Sequence, residues 1–229
     1  MRLLPSALAV AVCAPLAFAQ TTFTSTNFPS FAAPNGIAAG DLDGDGDIDV
    51  ATAHPSIDTV AANLNLGGGG AWANGALFGY PAGSAPVELV VDQLDATSFR
   101  PDVAVVLQGM NRVAIHRANG AWPGFFAPQF VGVGVMPIEA VAFDVDMDGD
   151  KDLAVICQNP STVYVLQNTA GLFAVAAVIP LSVSPHAIGT ANFNLYGGPD
   201  LGVTGSAGGA FAEVLINTTV GPATFAPNQ

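Results

Sequence analysis

Two short stretches carry aspartate at every second position. In "DLDGDGDID" these are Asp41, Asp43, Asp45, Asp47 and Asp49, and in "DVDMDGDKD" they are Asp144, Asp146, Asp148, Asp150 and Asp152. Taking Asp41 and Asp144 as loop position 1, the acids stand at positions 1, 3, 5, 7 and 9, with Gly46 or Gly149 at position 6. Alternate carboxylates on a curled loop converge on one point, the glycine permits the turn, and the position 7 carbonyl supplies a further oxygen. That donor set suits a hard divalent cation, Ca2+ before Mg2+, because calcium accepts six to eight oxygens in a flexible geometry. Without a cation the clustered charges repel one another. A simple turn asks for one or two aspartates or glycines; five in alternation, twice, implies about two Ca2+ sites.

Two further stretches keep only part of this pattern. "NFNLYGGPD" retains the spacing but offers Asn192, Asn194 and a single carboxylate, Asp200, so it is a weak metal candidate. "DQLDATSFRPD" has two inserted residues, no glycine and an intruding Arg100, and no cation is expected there.

Each loop sits in a repeat. An X-Pro dipeptide at Pro34, Pro86, Pro137 and Pro185 precedes an aspartate that opens an apolar strand at Asp49, Asp102, Asp152 and Asp200, a period of about fifty residues. Within each unit a short apolar strand enters the loop and a second leaves it ("DVATA", "DVAVVL", "DLAVIC", "DLGVTG"). A third follows ("TVAANLN", "RVAIHRA", "TVYVLQN", "AEVLIN"), and a fourth is expected around Phe78, Phe126, Phe173 and Phe225. Long helix-period patterns are missing, and Gly and Pro are frequent. The expected fold is all-β and β-propeller-like: four blades of about four antiparallel strands, as a small closed propeller or a partial ring. The repeats run over about 34–84, 85–135, 136–183 and 184–229, and a strand within 20–33 is a candidate to complete the last blade.

The D-x-D-x-D-G-x-x-D loop running straight into a strand resembles the FG-GAP/VCBS repeat family, the calcium-binding blades of integrin α-subunit propellers and many secreted bacterial proteins. An EF-hand would instead place a glutamate at position 12, where Thr52 and Val155 stand. The resemblance covers four repeats and implies side-chain ligands from Asp41, Asp43, Asp45 and Asp49, with the Asp47 carbonyl. In the second loop it implies Asp144, Asp146, Asp148 and Asp152, with the Asp150 carbonyl. It also implies extracellular recognition, adhesion or assembly.

The chain begins with Arg2, an apolar run and the triplet Ala17-Phe18-Ala19, read as a signal peptide over 1–19 and a secreted domain over 20–229. Loss of Cys13 would leave Cys157 alone, excluding an intrachain disulfide. The net charge of −13 disfavours nucleic acid and anionic membranes, and the longest later apolar run is interrupted by Pro180, so no membrane insertion is expected.

His54, His116 and His186 lack partners at ligand spacing, and no nucleophile elbow or phosphate loop occurs. The recurring "GAW" places Trp72 and Trp122 about fifty residues apart; blade-to-blade packing is the commoner role for such rings, and stacking on sugars the alternative. The sequence therefore reads as a secreted calcium-binding scaffold, adhesion or assembly module rather than an enzyme. Protein or glycan ligands and self-association are its candidate partnerships, and a lectin-like or polysaccharide-active propeller is the rival reading.

Overall fold

The computed structural model describes residues 31–218, apart from 69–70, 96 and 195–196, together with 225–226. Residues 1–19, read above as a signal peptide, and most of 20–33, expected to supply a strand, lie outside the described residues.

Four antiparallel meanders of four strands follow one another. The first contains β1 (Gly36–Gly40), β2 (Asp49–His54), β3 (Thr59–Asn65) and β4 (Trp72–Gly79). The second contains β5 (Pro86–Asp92), β6 (Asp102–Leu107), β7 (Arg112–His116) and β8 (Gln129–Gly132). The third contains β9 (Val135–Phe143), β10 (Asp152–Asn159), β11 (Ser161–Thr169) and β12 (Leu172–Pro180). The fourth contains β13 (Ser184–Ala191), β14 (Asp200–Ser206), β15 (Ala210–Asn217) and β16 (Phe225–Ala226). Each sheet is one blade. In the second blade the outer strand lies later than Phe126: Phe125 makes only an isolated bridge to Ala118, and β8 begins at Gln129. The cause is local, since Pro123 and Pro128 interrupt the ladder on that stretch.

The second strand of each blade explains how blades stack. Side chains alternate across a strand, and these strands are apolar on both faces. On β6, Val103, Val105 and Leu107 join the cluster shared with the first blade, while Ala104 and Val106 join the cluster shared with the third. Likewise Leu153 and Val155 of β10 face the second blade, and Ala154 and Ile156 face the fourth. Each fully buried Val, Leu or Ile in these seams stabilises the fold by about 1.5–3 kcal/mol. Cys157 lies in the same strand, fully buried, with its thiol pushed up to about 12 by that burial.

The entry strands pack in succession, β1 on β5, β5 on β9 and β9 on β13. Among the described residues no packing of similar extent returns from β13 to β1. Among the described residues the four blades thus follow one another along an arc. At its start, Phe31 lies edge-on to His54 and the Ala32 carbonyl meets His54 Nδ1 at 3.1 Å. This described end of the N-terminal segment lies against the first blade.

Candidate metal centre

A loop between the first and second strand of each blade ends in an aspartate that is wholly buried: Asp49, Asp102, Asp152 and Asp200. All four use their carboxylate in the same way. One oxygen accepts the N–H of loop position 2: from Leu42 at 2.8 Å, Leu94 at 2.9 Å, Val145 at 2.7 Å and Phe193 at 2.7 Å. The other accepts an N–H just beyond or at the end of the third strand: from Asn65 at 2.8 Å, and from Ala118, Asn168 and Asn217 at 2.7 Å. The position 9 aspartate therefore ties loop to strand in every blade, whether or not the loop carries further acids. Burial raises the carboxyl pKa of Asp49, opposed by the Asn65 and Leu42 amides. Burial also pushes Asp152 up to about 7, against the Asn168 and Val145 amides, with the Asp146 and Asp148 charges adding to the rise.

In the first and third blades two more carboxylates gather at that buried group. Oxygens of Asp41, Asp43 and Asp49 lie within 4.8 Å of one another, as do those of Asp144, Asp146 and Asp152. These are loop positions 1, 3 and 9. The turn that brings them together depends on Gly46 (φ 96°) and Gly149 (φ 98°), a left-handed conformation that glycine adopts without a Cβ penalty. Their amides donate to position 1, Gly46 N–H to Asp41 Oδ2 at 3.0 Å and Gly149 N–H to Asp144 Oδ2 at 3.1 Å.

The remaining acids lie differently. Asp45 and Asp148 are exposed, outside the close triads, and accept the position 7 amides of Asp47 and Asp150 at 2.9 Å. The Asp150 side chain accepts the Ala170 N–H at 3.0 Å, which turns it toward the end of the third strand. Three carboxylate oxygens per loop, hard and anionic, fit a hard divalent cation, and Asp45 or Asp148 stands next in line as a donor. In the fourth loop Asp200 is the single carboxylate, already bonded to two amides, with Asn192 exposed and Asn194 half-buried beside it.

The second blade fills its loop with something else. Arg100 is 1 % exposed; its Nε donates to the Leu42 carbonyl of the first loop at 2.7 Å and its Nη1 to the Gly124 carbonyl at 3.4 Å, while Nη2 has no partner among the described residues. The guanidinium lies 5.3 Å from the Trp122 ring centre and 5.2 Å from that of Phe125. Burial lowers the Arg100 pKa, and the Asp43 and Asp41 charges oppose that fall. A cation supplied by the chain itself thus stands beside the first aspartate loop and has no counterpart among the described residues at the second, where Gln167 Nε2 donates to Asp146 Oδ2 at 2.5 Å.

Trp122 and Phe125 belong to an aromatic seam between the first two blades. Phe78 stacks on His116 at 4.4 Å, and the Tyr80 hydroxyl meets His116 Nε2 at 2.7 Å. Trp122 is half-buried in this seam, the packing role, whereas Trp72 is half-buried on β4 opposite Asn65. Sequence reading singled out neither His116 nor Arg100 as part of one cluster. The signal available was the charge of Arg100 inside an otherwise acidic loop pattern.

Comparison with protein-family models and with curated protein sequences finds no match. Solved structures do resemble the chain. Similar to it is the BBS1N chain of a crystal structure of BBS1N in complex with ARL6DN, soaked with mercury, at TM-score 0.54 and 14% identity over 86% of this chain and 58% of that one. The same complex soaked with lead gives TM-score 0.51 and 17% identity, over 85% and 56%. A protein from Lactobacillus plantarum gives TM-score 0.53 and 16% identity, over 78% and 53%. The chain spans little more than half the length of each. At these identities the likeness concerns fold alone, and the fold is a β-propeller.

Proposed function

We propose that this protein is a secreted calcium-binding propeller module that acts in extracellular binding, adhesion or assembly, with the cation stabilising the blade loops and with no catalytic role. The observation that carries the calcium reading is the repeated triad: Asp41, Asp43 and Asp49 in one blade, and Asp144, Asp146 and Asp152 two blades later, each with ligand oxygens within 4.8 Å. Supporting it is the contrast with the fourth blade, which folds the same loop around the Asp200 carboxylate alone, and with the second, where the one further loop acid that lies near Asp102, Asp95, is paired with Arg117 at 3.5 Å. The loop turn therefore does not need the extra carboxylates, and two charges held against a buried third are an unfavourable arrangement until a cation joins them. The resemblance to FG-GAP/VCBS repeats and the signal-like N-terminus support an extracellular setting. There calcium is abundant, and a chain with one cysteine in its secreted part needs another staple.

In this reading Asp41, Asp43 and Asp49 hold one ion and Asp144, Asp146 and Asp152 the other. The carbonyls of Asp47 and Asp150 complete the set, as the family resemblance implies. Each ion offsets loop repulsion and fixes the entry of the second strand. Calorimetric titration of chelator-treated protein tests this: two calcium equivalents are expected, and none would sink the reading.

A further inference from the structure

Given the two calcium sites proposed above, we infer that Arg100 sets the affinity of the first, so that the third blade fills before the first and only the first site is felt at the Arg100 seam.

The two acid loops form a controlled comparison within one chain. In both, the carbonyl of loop position 2 lies between the first two ligands and is held by a donor from the following blade. At the third loop that donor is neutral, Asn217 Nδ2 reaching the Val145 carbonyl at 2.7 Å. At the first it is charged, Arg100 Nε reaching the Leu42 carbonyl at 2.7 Å. The junction between them uses asparagine again, since Asn168 Nδ2 donates to the Leu94 carbonyl. Ala118 stands at that asparagine's place in the second blade, its N–H bonded to Asp102 as those of Asn168 and Asn217 are to Asp152 and Asp200. With no side-chain amide available there, the guanidinium makes the junction.

That guanidinium is sparingly compensated. It is 1 % exposed, makes no ion pair among the described residues, and leaves Nη2 without a partner among them. Two carbonyls, the rings of Trp122 and Phe125, and the charges of Asp43, Asp41 and Asp102 offset its burial. A buried cation that loses compensating charge is costly. With calcium in the first triad, Arg100 loses the field of Asp43 and Asp41 and faces a divalent ion, which it repels through an interior that screens weakly. Such coupling is reciprocal: Arg100 weakens the hold on the ion by the factor by which the ion weakens the hold on Arg100.

The connection between ion and seam is short. Asp41 and Asp43 flank Leu42 in the chain, the Leu42 N–H donates to Asp49, and the Leu42 side chain lies in the cluster against which Trp122 and Phe125 pack. Three ligands therefore meet at the residue that Arg100 grips. Gly44 brings the second loop closer still, because a Cβ there would stand 2.6 Å from the Phe99 ring and 3.1 Å from Arg100 Cγ. The third loop has Met147 at that position, 53 % exposed, and no neighbouring loop presses on it.

Trp72 and Trp122, the only tryptophans, belong to the first two blades. Calorimetric titration of chelator-treated native protein with Ca2+ is expected to resolve two classes of one ion each, several-fold apart in affinity. Tryptophan emission should follow the weaker class alone. Arg100→Met removes the charge and keeps an apolar stem, and should close the gap by strengthening the weaker class. Its cost in urea unfolding should be smaller in saturating calcium than in chelator, by the same factor. Arg100→Lys should bring the gap back, which a packing role for Arg100 would not do. Should Arg100→Met fail to fold, the emission of the native protein decides the matter. Two equal sites, emission that follows the tighter class, or a gap that survives Arg100→Met would each overturn the inference while leaving the calcium reading intact. Binding of no calcium would remove both.

Discussion

The first and third blades differ from the second and fourth in one loop, and the difference separates two roles that a run of aspartates confounds. All four loops end on a buried carboxylate that accepts the N–H groups of loop position 2 and of the third strand's end. Only the first and third add the carboxylates at positions 1 and 3. The position 9 aspartate is thus part of every blade; the fourth folds without the others, and the second keeps an acid beside Leu94, Asp95, which it pairs with Arg117 at 3.5 Å. Arg100 sharpens the contrast: the second blade has turned its loop into a buried cation that reaches back to Leu42.

The strongest way to break this division is to remove a position 9 aspartate from a blade without the triad. Asp102→Ala leaves the amides of Leu94, Asp95 and Ala118 without their acceptor. It should cost about 4 kcal/mol in urea unfolding, since each buried unsatisfied donor costs about 1–3 kcal/mol. A loss under about 1 kcal/mol would show that the bridge is incidental. Next in size is calcium itself. For a site of roughly 0.1 mM affinity at about 2 mM free Ca2+, linkage stabilises by about 1.8 kcal/mol, or about 3.6 kcal/mol for two. Chelation should lower the melting temperature of the native chain, and should leave unmoved a double variant, Asp43→Asn with Asp146→Asn.

The seam between the first two blades supplies a third test, because it carries His116 where the later seams carry Leu166 and Leu215. Burial pushes the His116 imidazole down to about 4 from an ordinary 6.5. Between those values the unfolded chain binds a proton that the folded chain refuses. Stability is therefore complete above about pH 6.5 and falls by about 3 kcal/mol as the pH drops to 4. His116→Leu should flatten that part of the pH profile; an unchanged slope would assign it to the carboxylates. The smallest effect concerns the two triads. Arg100 stands beside the first alone, so its charge should make that site the weaker by several-fold. Titration of Asp43→Asn should then remove the weaker class of site and Asp146→Asn the stronger.

Much of this was legible in the chain. The fifty-residue period, the apolar strands after each loop aspartate and the Gly46 and Gly149 turns all follow from local pattern, because strand alternation and positive φ act over a few residues. The outer strand of the second blade was misplaced by a few residues, since Phe126 drew attention away from the prolines beside it. The shared duty of Asp49, Asp102, Asp152 and Asp200 was hidden, because its partners lie seven to seventeen residues away across a loop and a strand. Reading Asp49 and Asp152 as ligands alone missed that they also hold the blade together.

What the sequence determines by itself is the inventory: four similar blades, two of them with alternating carboxylates, and a net charge of −13. Those are matters of type and spacing, which the covalent chain carries. The tertiary structure decides which face of each strand meets which blade, and that Arg100 reaches a neighbouring loop. Such outcomes depend on side chains about fifty residues apart arriving at one seam, which local spacing does not set.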